Sequence, residues 1–172
     1  MSDKLTPRKD PSPRHAAAYV RVSTREQAKT GYSVDEQLRR LEEEAQRRRW
    51  EVVGAYADRG VTGKRESRPA LDDMLRAARA GEFDVLMIVH LDRLGRTARH
   101  LLNLYEELRT VGVELIALEQ NIDSTTAHGR AQLGMLAVFA EFEREMIAER
   151  VRGSNEARAR RGRAHGRLPT AT

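Results

Sequence analysis

The 172-residue sequence predicts an α/β fold: a mostly parallel sheet flanked by helices, followed by a long C-terminal helix suited to oligomerisation. Three observations carry this. Short runs rich in β-branched and apolar residues alternate with amphipathic helical patterns, the arrangement that gives parallel strands covered by helices on both faces. Glycine and proline punctuate those segments at helix starts and stops. From about Ala127 to Arg161 no proline interrupts a strongly helical composition, a length of roughly 50 Å at about 1.5 Å per residue.

Residues 1–15, with three prolines, several charges and almost nothing apolar, read as a disordered leader. Strands are expected at Ala16–Val22, Trp50–Ala57, Phe83–Val89 and Val113–Leu118. Ser33-Val-Asp-Glu36 has the form of a capping box, opening a helix with Val34, Leu38, Leu41 and Ala45 on one face. Pro69 suits the first position of a second helix, and Gly81 and Gly112 suit the stops of the second and third. In the long fourth helix Leu133, Met135, Leu136, Ala137, Val138, Phe139, Ala140 and Phe142 place apolar groups around the whole circumference. One small sheet covers only one side of such a helix, so either it is central to its own fold or it meets another subunit; a homodimer or larger is the expectation. The organisation read from this is a leader (1–15), an α/β domain (16–126), a long oligomerisation helix (127–161) and a basic arm (162–172).

Thirty-one Lys and Arg against 26 Asp and Glu leave a net charge of +5, which favours a polyanionic partner. The excess is local. Arg150, Arg152, Arg158, Arg160, Arg161, Arg163 and Arg167 lie in one stretch with a single acid, Glu156, and the rest of the chain is slightly acidic. Such a run is either a solvated tail or an arm that neutralises phosphates. The absence of cysteine removes disulfides, thiolate metal sites and thiol nucleophiles, and is compatible with a reducing compartment. With no signal peptide and no long apolar span, no membrane association is expected and the cytoplasm is the default location. The five histidines show no metal-ligand spacing, and G-x-S-x-G, Walker and G-x-G-x-x-G strings are missing, which argues against metal, acyl-transfer, P-loop and dinucleotide chemistry.

The period of a strand puts Tyr19, Arg21 and Ser23 on one face, with Ser23 at the C-terminal end, where open parallel sheets bind their ligands. Ser23-Thr-Arg-Glu26 is itself a capping box, so by these residues alone Ser23 is a cap or a nucleophile. The third strand runs into His90-Leu-Asp-Arg-Leu-Gly-Arg96, bringing Asp92, Arg93 and Arg96 to the same end of the sheet, and Arg68 precedes Pro69 after the second strand. Arg21, Arg68, Arg93 and Arg96 converging there would repel one another unless an anion compensated them. Guanidinium forks match phosphate oxygens, so a phosphate is the expected anion. Asp92 then orients Arg93 or Arg96, or makes an ordinary exposed ion pair, and His90 reads as a strand-end packing residue.

Tyr19-Val-Arg-Val-Ser-Thr24, Gly63 to Leu71 with Arg68, Leu91-Asp-Arg-Leu-Gly-Arg96 and Phe142-Glu-Arg-Glu-Met-Ile147 together resemble the catalytic domain of the serine recombinases, the resolvases, invertases and serine integrases, from about Ala16 to Arg161. The resemblance implies that Ser23 attacks a DNA phosphodiester, leaving a 5′-phosphoserine link and a free 3′-OH. It implies that Arg21, Arg68, Arg93 and Arg96 hold the scissile phosphate and that Asp92 organises them. Tyr19, Gln27, Gln37, Glu143 and Arg144 are then supporting residues of the site. The family's long helix builds a dimer, and a tetramer when synapsed, and then crosses double-stranded DNA, which would engage the arginines from Arg150 to Arg167. No metal, nucleotide or other cofactor is implied. The stretch from Gln27 to Gln37 is longer than in short resolvases, and the family continues past the basic arm into a helix-turn-helix or larger region, so the sequence reads as stopping before any recognition domain: an isolated catalytic domain, a truncated product, or a chain whose specificity comes from elsewhere. The competing reading is a noncatalytic DNA-binding or dimerisation module that keeps the fold. A receiver-like or small-molecule phosphate site would want acids after the first strand, where Tyr19, Arg21 and Ser23 stand instead.

Overall fold

The computed structural model describes residues 14–22, 33–59, 68–95 and 97–160. The elements in order are β1 (His15–Val22), α1 (Val34–Arg47), β2 (Glu51–Arg59), α2 (Pro69–Arg79), β3 (Val85–Ile88), α3 (Leu91–Leu94), α4 (Ala98–Thr110), β4 (Glu114–Ala117), β5 (Ile122–Asp123) and α5 (Ala127–Arg160). The strands form a sheet in the order β2-β1-β3-β4-β5. All neighbours are parallel except β4 and β5. The antiparallel β5 was not anticipated, because two residues carry no readable period. Ser124 secures it: its Oγ accepts the Leu115 N–H at 2.7 Å and donates to Glu114.

Alternation along β1 divides the core between two faces. Ala16, Ala18, Val20 and Val22 pack under α1 with Val34 and Leu41. Ala17 and Tyr19 face the other way, against Leu71 and Met74 of α2, Leu101 and Leu108 of α4, and Leu133 of α5. Helices therefore cover both faces, as the alternating pattern predicts.

The helix signals work with one change. Ser33 Oγ accepts the Glu36 N–H at 3.1 Å, but the reciprocal arm of the capping box is replaced: the Glu36 carboxylate pairs with Arg39 at 2.7 Å. Pro69 opens α2, and Gly81 and Gly112 follow α2 and α4 with φ of +73° and +82°, a conformation that favours glycine. Gly95 serves a different need. A Cβ there would overlap the backbone of Leu101, so only glycine allows the chain to pass so close to α4. At Gly129 a Cβ would overlap the Asp123 backbone, and its absence lets the first turn of α5 seat on β5.

Beyond that seat α5 leaves the body. Leu133 is buried, whereas Val138, Phe139, Phe142 and Ile147 are 57–70% exposed. No helix among the described residues is long and apolar enough to cross a membrane.

Candidate active site at the strand ends

The strand order places the topological switch point between β1 and β3, because the chain leaves β1 for β2 on one side and returns to β3 on the other. The C-terminal ends of these two strands form the crevice in which open α/β sheets bind ligands. Arg21 projects from the end of β1, and α3 begins just after β3. The two are laced together: Arg21 Nη2 donates to the Asp92 carbonyl at 3.0 Å, and Arg93 Nη1 donates to the Arg21 carbonyl at 3.1 Å. Arg93 Nε also lies 3.2 Å from Asp92 Oδ1.

Arg68 joins from the start of α2. Its Nε and Nη2 donate to Tyr19 Oη at 3.2 and 2.8 Å, its Nη2 to the Arg93 carbonyl at 2.6 Å and its Nη1 to the Leu94 carbonyl at 2.7 Å. Those carbonyls end the short helix α3, where a cation is favoured. Arg68 therefore ties β1, α2 and α3 into one unit, with a remaining Nη1 hydrogen for an anion.

Tyr19 uses its full hydrogen-bonding capacity in that unit. Its hydroxyl accepts from Arg68 and donates to Asp58 Oδ2 at 2.8 Å. Burial pushes the phenol up to about 12, with Asp58 adding to the rise and Arg68 opposing it. Tyr19 thus remains a neutral donor across ordinary pH.

Asp58 is the site residue that sequence reasoning missed. Besides Tyr19 it accepts the N–H groups of Ala70 and Leu71 at 3.0 and 3.1 Å. Arg68 at the N-cap position makes no side-chain cap, so the carboxylate from β2 supplies the missing acceptor for the first turn of α2. Asp58 stands one residue past the expected end of the second strand. A lone acid there carries no sequence signal, although its alignment with Arg21 in the β1–β2 register marks it once the strands are paired.

Electrostatically the site is poised for an anion. Burial holds the Arg21 guanidinium below its ordinary range, and the neighbouring charges of Arg68 and Arg93 add to the effect. An anion placed among these guanidinium groups would offset their mutual repulsion and favour the charged form of Arg21.

Other expected residues are distributed as follows. Gln37 of α1 is 2% exposed and, with Val89, His90, Arg93, Glu119 and Gln120, lines a cavity of about 340 Å³ beside the arginines. No hydrogen bond from the described residues reaches its Oε1. His90 is not a packing residue: its side chain is 45% exposed and caps α3. Arg144 is exposed on α5 and pairs with Glu141 on its own helix, away from the strand-end cluster. Arg150 and Arg152 are exposed on the same helix. Glu143, Arg158 and Arg160 also belong to α5, their side chains lying outside what is described, and Ser23, Gln27, Arg96, Arg161, Arg163 and Arg167 lie outside the described residues altogether.

Comparison with known proteins agrees with this fold. Residues 16–164 match the family model described as the N-terminal domain of resolvases. The DNA-invertase of Escherichia phage P1 is 38% identical over 154 residues, covering 88% of this chain and 74% of the invertase. A resolvase family site-specific recombinase from Streptococcus pneumoniae superposes with a TM-score of 0.73 at 31% identity, over 86% of this chain and 99% of that structure. The N-terminal catalytic domain of TP901-1 integrase gives 0.68 at 34% identity, over 77% and 98%. With the switch-point arginines, the parallel sheet and the long final helix all in place, the chain belongs to the resolvase family as a serine recombinase catalytic domain.

Proposed function

We propose that this chain breaks and rejoins DNA strands, using Ser23 as its nucleophile. Ser23 Oγ attacks the phosphorus, the bond to the 3′-oxygen breaks, and that oxygen leaves as a 3′-OH while the 5′-phosphate stays on the serine. Exchange reverses the step, with a new 3′-OH displacing the serine. One phosphodiester is exchanged for another, so no external energy source is required. The observation that carries the reading is the meeting of Arg21, Arg68 and Arg93 at the β1/β3 switch point, and Ser23 is the residue that follows β1 in the sequence.

Arg21 and Arg93 are the principal phosphate ligands, joined by Arg96, and Asp92 orients Arg93. Arg68 contributes its remaining hydrogen, holds α3 through the carbonyls of Arg93 and Leu94, and is anchored to β1 by Tyr19. Gln27 and Gln37 support the site, and Glu143 and Arg144 act from α5. That helix joins two copies through Val138, Phe139, Phe142 and Ile147, and two dimers on synapsis. Its basic half, from Arg150 through Arg152, Arg158, Arg160 and Arg161 to Arg163 and Arg167, follows the DNA backbone. The reaction takes place in the cytoplasm on double-stranded DNA.

The test is covalent capture on nicked duplexes of randomised sequence. The wild-type chain should form an adduct that survives a denaturing gel, and Ser23→Ala should form none. An unchanged adduct in the variant overturns the assignment of Ser23. Salt-sensitive DNA binding without any adduct supports the noncatalytic module instead.

A further inference from the structure

His90 is placed where one atom serves two purposes. Its Nδ1 accepts the Asp92 N–H at 3.3 Å, capping α3, and the same Nδ1 lies 3.0 Å from Asp92 Oδ1. Arg93 Nε lies 3.2 Å from that same carboxylate oxygen. The two functions of Nδ1 exclude each other. Accepting the backbone N–H needs a lone pair on Nδ1, and donating to the carboxylate needs a proton there. With the imidazole neutral and its proton on Nε2, the tautomer that caps α3, the Nδ1 lone pair faces Oδ1 and leaves that oxygen to Arg93. With the imidazole protonated, the cap is lost and two cations share one oxygen.

We propose that His90 is a positioning residue for Arg93: neutral, it leaves Asp92 to orient the guanidinium, and protonated, it draws the carboxylate away. The inference rests on the reading of Arg93 as a phosphate ligand. Among the described residues, the charged groups around the imidazole are Asp92 and Arg93 on α3, Arg21 from β1 through the Asp92 carbonyl, and Glu119 after β4. Glu119 is paired with Arg40 of α1 at 2.6 Å, so it does not compete for the imidazole proton as an isolated carboxylate does. Gln37 and Gln120 are the neutral polar neighbours, and Gln120 Oε1 is engaged by the Leu91 N–H at 3.1 Å.

The experiment compares the full chain with His90→Asn, whose amide oxygen can still cap α3 but does not titrate. Single-turnover adduct formation is followed between about pH 5.5 and 8.5, the window in which histidine changes charge. The ratio of wild-type to variant rate should fall about threefold from the alkaline to the acid end, the scale of an exposed ion pair. A ratio that stays constant, or rises towards acid, overturns the proposal. In parallel, the Arg93 Nε–H resonance of the DNA-free chain should titrate together with the His90 ring in the wild type and stay flat in His90→Asn. An Arg93 resonance that ignores the His90 titration overturns the proposal as well. The resonance measurement needs no DNA, so a chain that cleaves nothing fails the recombinase reading while His90 is still decided.

Discussion

The strand-end site and the outer part of α5 are built in opposite ways. At the site, Tyr19, Asp58 and Arg68 satisfy one another inside a single chain, and Tyr19 is fully buried. Along α5 beyond Leu133, Phe139 and Phe142 are exposed although fully burying a side chain of this size stabilises by about 1.5–3 kcal/mol. The difference teaches that the arginine cluster is held together by the folded chain alone, whereas the outer apolar face of α5 is left uncovered by the described residues and, on the proposed reading, belongs to a second copy. Chemistry and assembly can therefore be perturbed separately.

The largest expected effect is on chemistry. Arg68→Lys keeps the charge but loses the fork that spans Tyr19 and the carbonyls of Arg93 and Leu94, and should slow adduct formation by about 10²-fold or more. Sedimentation of the same variant should show unaltered self-association; a parallel loss would mean that the two regions are not separable. Next is Asp58→Ala, which strands the Tyr19 hydroxyl and the first N–H groups of α2. It should lower unfolding stability by about 3 kcal/mol in urea titrations.

Tyr19 sharpens the same side by pH. Its folded value of about 12 lies above the ordinary value of about 10. Neutral Tyr19 therefore contributes stability that is fully present below about pH 10 and is lost as pH rises towards about 12, up to about 3 kcal/mol. Tyr19→Phe should remove that alkaline loss relative to wild type, and equal slopes in the two proteins would contradict it. The smallest effect on the fold falls on the other side of the comparison. Phe139→Glu should weaken self-association at least about tenfold while changing the urea midpoint of the body by less than about 0.5 kcal/mol. A large loss of stability would show that Phe139 belongs to the monomer core.

Much of the fold could be read from local signals. Ser33, Pro69, Gly81 and Gly112 act where their own backbone preferences apply, and the alternation in β1 assigns its residues to the two faces correctly. The misses share a cause. β5 is too short to show a period, and Asp58 acquires meaning only when β1 and β2 align and α2 starts beside them. His90 looked like packing because its role depends on the turn that follows it, and Glu36 left the expected capping box because Arg39 offered a closer charge.

The sequence by itself determined the α/β class, the parallel order of its main elements, the long final helix and the arginine-bearing motifs, since each depends on periodicity or on neighbours a few residues apart. Only the tertiary structure decided that Arg68 is chiefly a cross-link, that Asp58 completes the cluster and that Arg93 Nε and His90 Nδ1 both lie close to Asp92 Oδ1. Those facts come from side chains separated along the chain, or from atoms competing for one position, and hydrogen-bond geometry at distances near 3 Å exists only after the strands have been brought together.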